Sequence, residues 1–184
     1  MVEKHRQGYS IFHETIADMT WMEVEKASEN NSVMLVPIGS IEQHVPHLPI
    51  GTDTYLSYQL SLLTKKELEK RGTPVIIAPP YYFGITHATR GFPGSVNIRN
   101  ESMVTVLSEI LVSYMNSGFK KQFLLNFHGE PEHVHALLDA VTRANERGVE
   151  AVYLVAGSSI SDEWNIPKTS YQSLDSESSM QEYR

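Results

Sequence analysis

Four short, almost unbroken apolar runs punctuate this chain: Val33–Ile38 and residues 74–78, 122–126 and 151–155. Each holds five or six residues rich in Val, Ile or Leu and lacks the polar alternation of a half-exposed strand, as expected for strands covered on both faces. Between them lie stretches with helical spacing. Residues 15–28 carry Met19, Trp21, Met22, Val24 and Ala27, and Thr20 with Glu23 forms a capping-box pattern that starts a helix at about Trp21. A second helix begins near Asp53 or Thr54 as N-cap, follows Leu56, Leu60, Leu63 and Leu68, and stops at Arg71 and Gly72. A third covers residues 102–117 and ends at Gly118, and a fourth runs from Pro131 to Arg147 before Gly148. Strands alternating with helices in this way pair in parallel through right-handed crossovers. The expected fold is therefore α/β, a three-layer α/β/α arrangement around a mostly parallel sheet, in which ligands bind beyond the carboxyl ends of the strands.

Those strand ends are where the chemistry-bearing residues gather. After the first run come Glu42, His44 and, eleven residues beyond Glu42, Asp53, set among Gly and Pro. Glu42 and His44 are two apart, so extended backbone sends both side chains to one side. After the third run come His128 and Glu130, again a carboxylate and an imidazole. Each residue alone has an ordinary explanation as a cap or a hydrogen-bonded surface group. Together they make a ligand set of two imidazoles and three carboxylates, suited to Zn²⁺ or Mn²⁺, and the carboxylate richness favours two ions. His47 and His87 lie in loops able to line a pocket. His133 and His135 do not share a helical face and are weak candidates. The 21-residue loop over residues 79–99 is too long to be a plain connector, and its aromatic content predicts an ordered one.

Composition closes off other readings. With no cysteine, disulfides and thiolate zinc sites are excluded. The formal charge of −7, from 15 basic and 22 acidic residues, argues against nucleic acid as a partner. The chain lacks an apolar span of membrane length, and its start lacks the apolar core of a secretory signal, so no membrane partner and a cytoplasmic location are expected. A chain of 184 residues suits one domain, 1–184, with a polar Ser-, Asp- and Glu-rich tail from Gly157 and no further convincing strand.

The segments Gly39-Ser40-Ile41-Glu42-Gln43-His44, Pro46-His47-Leu48-Pro49 and Gly51-Thr52-Asp53-Thr54 resemble the first signature of the creatininase (creatinine amidohydrolase) family. Asn126-Phe127-His128-Gly129-Glu130 resembles its second, and Phe92-Pro93-Gly94-Ser95 its Phe-Pro-Gly-Thr loop; the likeness covers residues 15–155. The resemblance implies an α/β/α hydrolase that cleaves C–N bonds of cyclic or formyl amides with two divalent metal ions, Zn²⁺ and/or Mn²⁺, and assembles into homo-oligomers, often hexamers. By the same resemblance, Glu42, Asp53 and His128 hold one ion, and His44, Asp53 and Glu130 the other, with Asp53 bridging. Glu130 and His87 are then the candidates to protonate the leaving nitrogen of a small-molecule substrate, and Asn126 is expected to fix a ligand or the ligand loop.

Three departures accompany the likeness. Val45 and Phe127 stand where the family commonly has glycine, and the C-terminal part of the family fold is expected to be missing after about residues 155–184. The alternative reading is a catalytically silent or incomplete metal-binding member with an assembly or regulatory role.

Overall fold

The computed structural model describes residues 12–155 and 172–173. Its elements, in chain order, are a short 3₁₀ turn (Ile16–Asp18), α1 (Trp21–Glu29), β1 (Val33–Ile38), α2 (Thr52–Lys70), β2 (Val75–Ile77), α3 (Asn100–Asn116), β3 (Lys121–Asn126), α4 (Pro131–Asn145), β4 (Glu150–Val155) and β5 (Gln172–Ser173). The strands form one sheet in the order β2-β1-β3-β4-β5, and every neighbouring pair is parallel. β2 and β3 pair with opposite edges of β1, so the ends of β1 and β3 lie side by side at the centre, with Ile38 paired to Asn126.

Period-two alternation sorts the sheet's side chains between two apolar layers. On one face, Met34, Val36, Ile38 and Leu124 pack with Met103, Leu107 and Leu111 of α3 and Leu137, Ala140 and Val141 of α4. On the other, Leu35, Val75, Ile77 and Leu125 pack beneath Leu60, Leu62 and Leu68 of α2. This is the three-layer α/β/α arrangement that the alternation of runs predicts.

Local signals account for most element ends. The Thr20 hydroxyl accepts the Glu23 N–H while Glu23 accepts the Thr20 N–H, completing the capping box. Gly72, Gly118 and Gly148 follow α2, α3 and α4 with φ of 83°, 98° and 94°, the left-handed backbone that ends helices on glycine. Two expectations are corrected. The N-cap of α2 is Gly51, so Asp53 lies inside the first turn and its side chain is released from capping. A fifth strand, β5, joins the edge of β4 by two residue pairs; a two-residue edge strand in a polar tail carries no apolar signal. The tail's remaining residues lie outside the described ones. Among the described residues, no helix is long and apolar enough to cross a membrane.

Candidate metal centre

The site is built where β1 and β3 end. Beyond Ile38 the backbone enters the loop that carries Glu42 and His44, and this loop is tied down on several sides. Glu42 N–H donates to the Ile50 carbonyl at 2.9 Å, closing the loop on itself. Val96 N–H donates to the Ile41 carbonyl at 2.9 Å, and Ser95 Oγ accepts the Gln43 N–H at 3.1 Å. The Phe92-Pro93-Gly94-Ser95 loop thus braces the ligand loop from outside. The long connection is ordered by its own pairing: Gly84 bridges to Asn97, and Thr86 N–H donates to Asn97 Oδ1 at 2.8 Å.

Glu42, Asp53 and His128, all buried, bring one ligand atom each to within 4.8 Å of one another. His128 Nδ1 lies 2.7 Å from Glu42 Oε1 and 3.1 Å from Asp53 Oδ2. Its Nε2 donates to the Ile85 carbonyl at 2.7 Å, which leaves Nδ1 as the nitrogen facing the two carboxylates. His44 repeats the arrangement with the nitrogens exchanged: Nδ1 sits 3.0 Å from the Glu42 carbonyl and Nε2 2.8 Å from Asp53 Oδ1. The two oxygens of Asp53 therefore face two different imidazoles. Thr89 Oγ1 donates to Glu42 Oε2 at 2.5 Å, orienting that carboxylate. Asn126 fixes the second ligand turn, its amide donating to the His128 carbonyl at 2.7 Å and its Oδ1 accepting the His128 N–H at 3.0 Å.

The electrostatics favour a cation here. Burial alone lowers the His128 pKa, but the Asp53 and Glu42 carboxylates and the Ile85 carbonyl outweigh it and raise the value to about 10. His44 shifts upward in the same way: burial opposes the charge, and the Glu42 carbonyl and the Asp53 carboxylate overcome it. Burial pushes Glu42 up, yet His128 and Thr89 bring its net pKa down. Asp53 Oδ2 is buried, and the neighbour it faces is His128 Nδ1 at 3.1 Å, an ion-pair contact that marks it as an acceptor positioned for a positive charge. Two imidazole lone pairs around carboxylates, each imidazole fixed through its other nitrogen, fit a divalent ion by donor chemistry.

The remaining candidates are placed differently. Glu130 is half-buried; its Oε2 accepts the Ala88 N–H at 3.3 Å, and it lies outside the three-residue group. His87 is exposed and pairs with Glu132 at 2.5 Å, and His47 is exposed on the ligand loop. His133 and His135 do part ways, one buried and one exposed. Yet His133 abuts the site. Its ring meets the His128 ring edge-on, centroids 4.6 Å apart at 82°, and burial first, then the His128 charge, holds its pKa well below the ordinary imidazole value. The sequence signal for it is an imidazole on the apolar stripe of α4, in line with Leu137, Ala140 and Ala144, at the end nearest His128.

Of the two residues found in place of glycine, Phe127 keeps an ordinary backbone, but Val45 does not. With φ of 54° it holds a β-branched side chain in the left-handed region while 54% of its surface is exposed. Val45→Gly is expected to raise stability by about 0.5–1 kcal/mol, the relief of left-handed strain less glycine's greater unfolded entropy. Denaturant midpoints of the two chains check this, and a lower midpoint in the glycine variant would contradict it.

Comparison with known proteins places the site in context. The family model described as creatinine amidohydrolase matches residues 17–181. The mycofactocin precursor peptide peptidase of Mycolicibacterium smegmatis is 31% identical over 150 residues, 77% of this chain and 58% of that one. The 3-dehydro-scyllo-inosose hydrolase of Thermotoga maritima is 30% identical over 113 residues, 61% of this chain and 35% of that one. A solved creatininase described with Mn superposes with a TM-score of 0.64 at 19% identity, over 76% of this chain and 57% of its own. The chain thus spans roughly a third to three-fifths of the length of these relatives.

Proposed function

Because the chain belongs to the creatinine amidohydrolase (creatininase) family, we propose that it is a metal-dependent amidohydrolase acting on a C–N bond, a cyclic amide or formamide, of a small polar molecule. The observation that carries this reading is Asp53, whose two carboxylate oxygens address His44 Nε2 and His128 Nδ1 separately. In this reading Glu42, Asp53 and His128 hold one divalent ion, Zn²⁺ or Mn²⁺, and His44, Asp53 and Glu130 hold a second. Divalent ions bound there supply Lewis-acid chemistry, acidifying water and polarising an amide carbonyl.

The chain's own residues do the rest. The Ile85 carbonyl accepts from His128 Nε2, so Nδ1 is the nitrogen turned to the ion once its proton is displaced, and Asn126 holds the backbone of the turn that carries the ring. Thr89 orients Glu42, and His128 with Thr89 holds its carboxyl below the ordinary value against the effect of burial. The Ala88 N–H fixes Glu130 at Oε2, and Glu130 Oε1 is the atom assigned the proton that the leaving nitrogen needs. His87, on the same segment and paired with Glu132, is the second proton-transfer candidate. A homo-oligomer, hexameric by family likeness, belongs to the same proposal, and exposed Trp21, Tyr55 and Leu63 supply apolar surface for it.

Metal uptake is expected to be proton-linked. In the metal-free chain the raised His128 pKa means that folding favours the imidazolium; that contribution is complete below about 6.5 and disappears as pH rises through about 10. A cation must displace this proton, so apparent affinity rises about tenfold per pH unit between pH 7 and 9. Calorimetry across that range checks it, and a flat profile would contradict the ligand role of His128. The function itself is tested by screening cyclic amides and formamides with the Zn²⁺- and Mn²⁺-loaded chain. Turnover lost in Glu130→Gln supports the reading; metal binding without hydrolysis of any substrate supports the silent-module alternative instead.

A further inference from the structure

We propose that His133 is a positioning residue for this centre, fixing the tautomer and ring angle of His128 through the backbone of Ile85. The geometry is a clamp. His133 Nδ1 accepts the Ile85 N–H at 3.3 Å, and the carbonyl of the same residue accepts from His128 Nε2 at 2.7 Å. Ile85 is fully buried between the two imidazoles, whose rings also touch each other directly. Accepting at Nδ1 obliges His133 to carry its proton on Nε2, because a neutral imidazole offers one donor and one acceptor.

Two further observations say that the clamp is built rather than incidental. A Cβ on Gly84 would lie 2.7 Å from His133 Nδ1 and 2.8 Å from Ser40 Oγ, so the backbone entering Ile85 rests directly on the His133 ring. His133 Nε2 is buried with no hydrogen-bond partner among the described residues. That orphaned donor carries a desolvation penalty that leucine or phenylalanine at the same point of the α4 stripe would not. What those residues lack is the acceptor facing Ile85.

The clamp stands on geometry alone; its consequence for metal affinity rests on the proposed metal centre. The test compares His133→Asn, which keeps an acceptor where Nδ1 stands, with His133→Phe, which fills the space without one. His133→Leu replaces the latter should it not fold. Zn²⁺ affinity by chelator competition, normalised to the folded fraction, is expected to fall about 10–100-fold in His133→Phe and to stay within about threefold in His133→Asn. The Co²⁺ visible spectrum is expected to change in the first variant only. In the metal-free chain, the hydrogen-bonded His128 Nε2–H proton resonance is expected in the wild type and His133→Asn and to be lost in His133→Phe. Unchanged affinity, spectrum and resonance in His133→Phe would overturn the proposal, as would an equal loss in both variants, which marks packing alone. Should the wild-type chain bind no Zn²⁺, the metal reading fails and the proton resonance alone decides whether the clamp exists.

Discussion

Replacing Asp53 by alanine is expected to lower divalent-metal affinity on the order of a thousandfold or more and to abolish the proposed hydrolysis with it. No other side chain of the site touches both imidazoles: Oδ1 lies 2.8 Å from His44 Nε2 and Oδ2 3.1 Å from His128 Nδ1. Its removal leaves Glu42 facing His128 and deprives His44 of its carboxylate, so neither proposed ion keeps its ligand set. Because Asp53 makes no cap hydrogen bond to α2, the loss at the site is not accompanied by the loss of a helix cap. Circular dichroism checks that the fold persists, and elemental analysis reads the metal. Retention of either ion at full occupancy in the variant would defeat the shared role of Asp53.

The second large effect comes from a position with no chemistry of its own. Gly39 follows β1 directly and lies against the first turn of α2, and a Cβ there would stand 2.5 Å from Thr54 N, 2.7 Å from Thr54 Cα and 2.8 Å from Asp53 C. These are backbone atoms in a helix that is itself packed on the sheet, so no side chain can move aside. Gly39→Ala is expected to destabilise the chain by about 3 kcal/mol, the upper range for forced overpacking. Because the displaced turn carries Asp53, metal affinity falls as well, even in the fraction that stays folded. Chemical denaturation together with Zn²⁺ titration reads both effects. A variant of wild-type stability would show that α2 does not seat on Gly39 as described.

Much of this was legible in the sequence because it is written in local rules. Buried parallel strands announce themselves as continuous apolar runs, and glycines after α2, α3 and α4 mark the stops through their left-handed backbone. The Thr20–Glu23 box needs only the two residues at the right spacing. The site was legible for a different reason: parallel strands deliver whatever follows them to one edge of the sheet, so Glu42, His44 and His128 meet by topology.

What was hidden depends on contacts made across the chain. Whether Asp53 caps α2 or faces the site is decided by where Gly51 turns the backbone, since Asp at either place fits the helix start. The parts played by Thr89 and Ile85 come from a loop that returns more than forty residues after Glu42 in one case and before His128 in the other. His133 looked like a residue of an apolar stripe, which it is; that the stripe's first turn abuts His128 is a tertiary fact. Glu130 follows His128 by two positions, but the turn into α4 sets its Oε2 against the Ala88 N–H, and it is not a member of the close Glu42–Asp53–His128 group.

The central claim is that these strand ends form a divalent metal centre, and metal stoichiometry of the purified wild-type chain tests it most directly. After stripping with a chelator and reloading with Zn²⁺ or Mn²⁺, the account predicts about two equivalents retained per chain through gel filtration. One equivalent would contradict the second ion and the assignment of His44 and Glu130 to it. Retention of neither metal would contradict the centre as a whole.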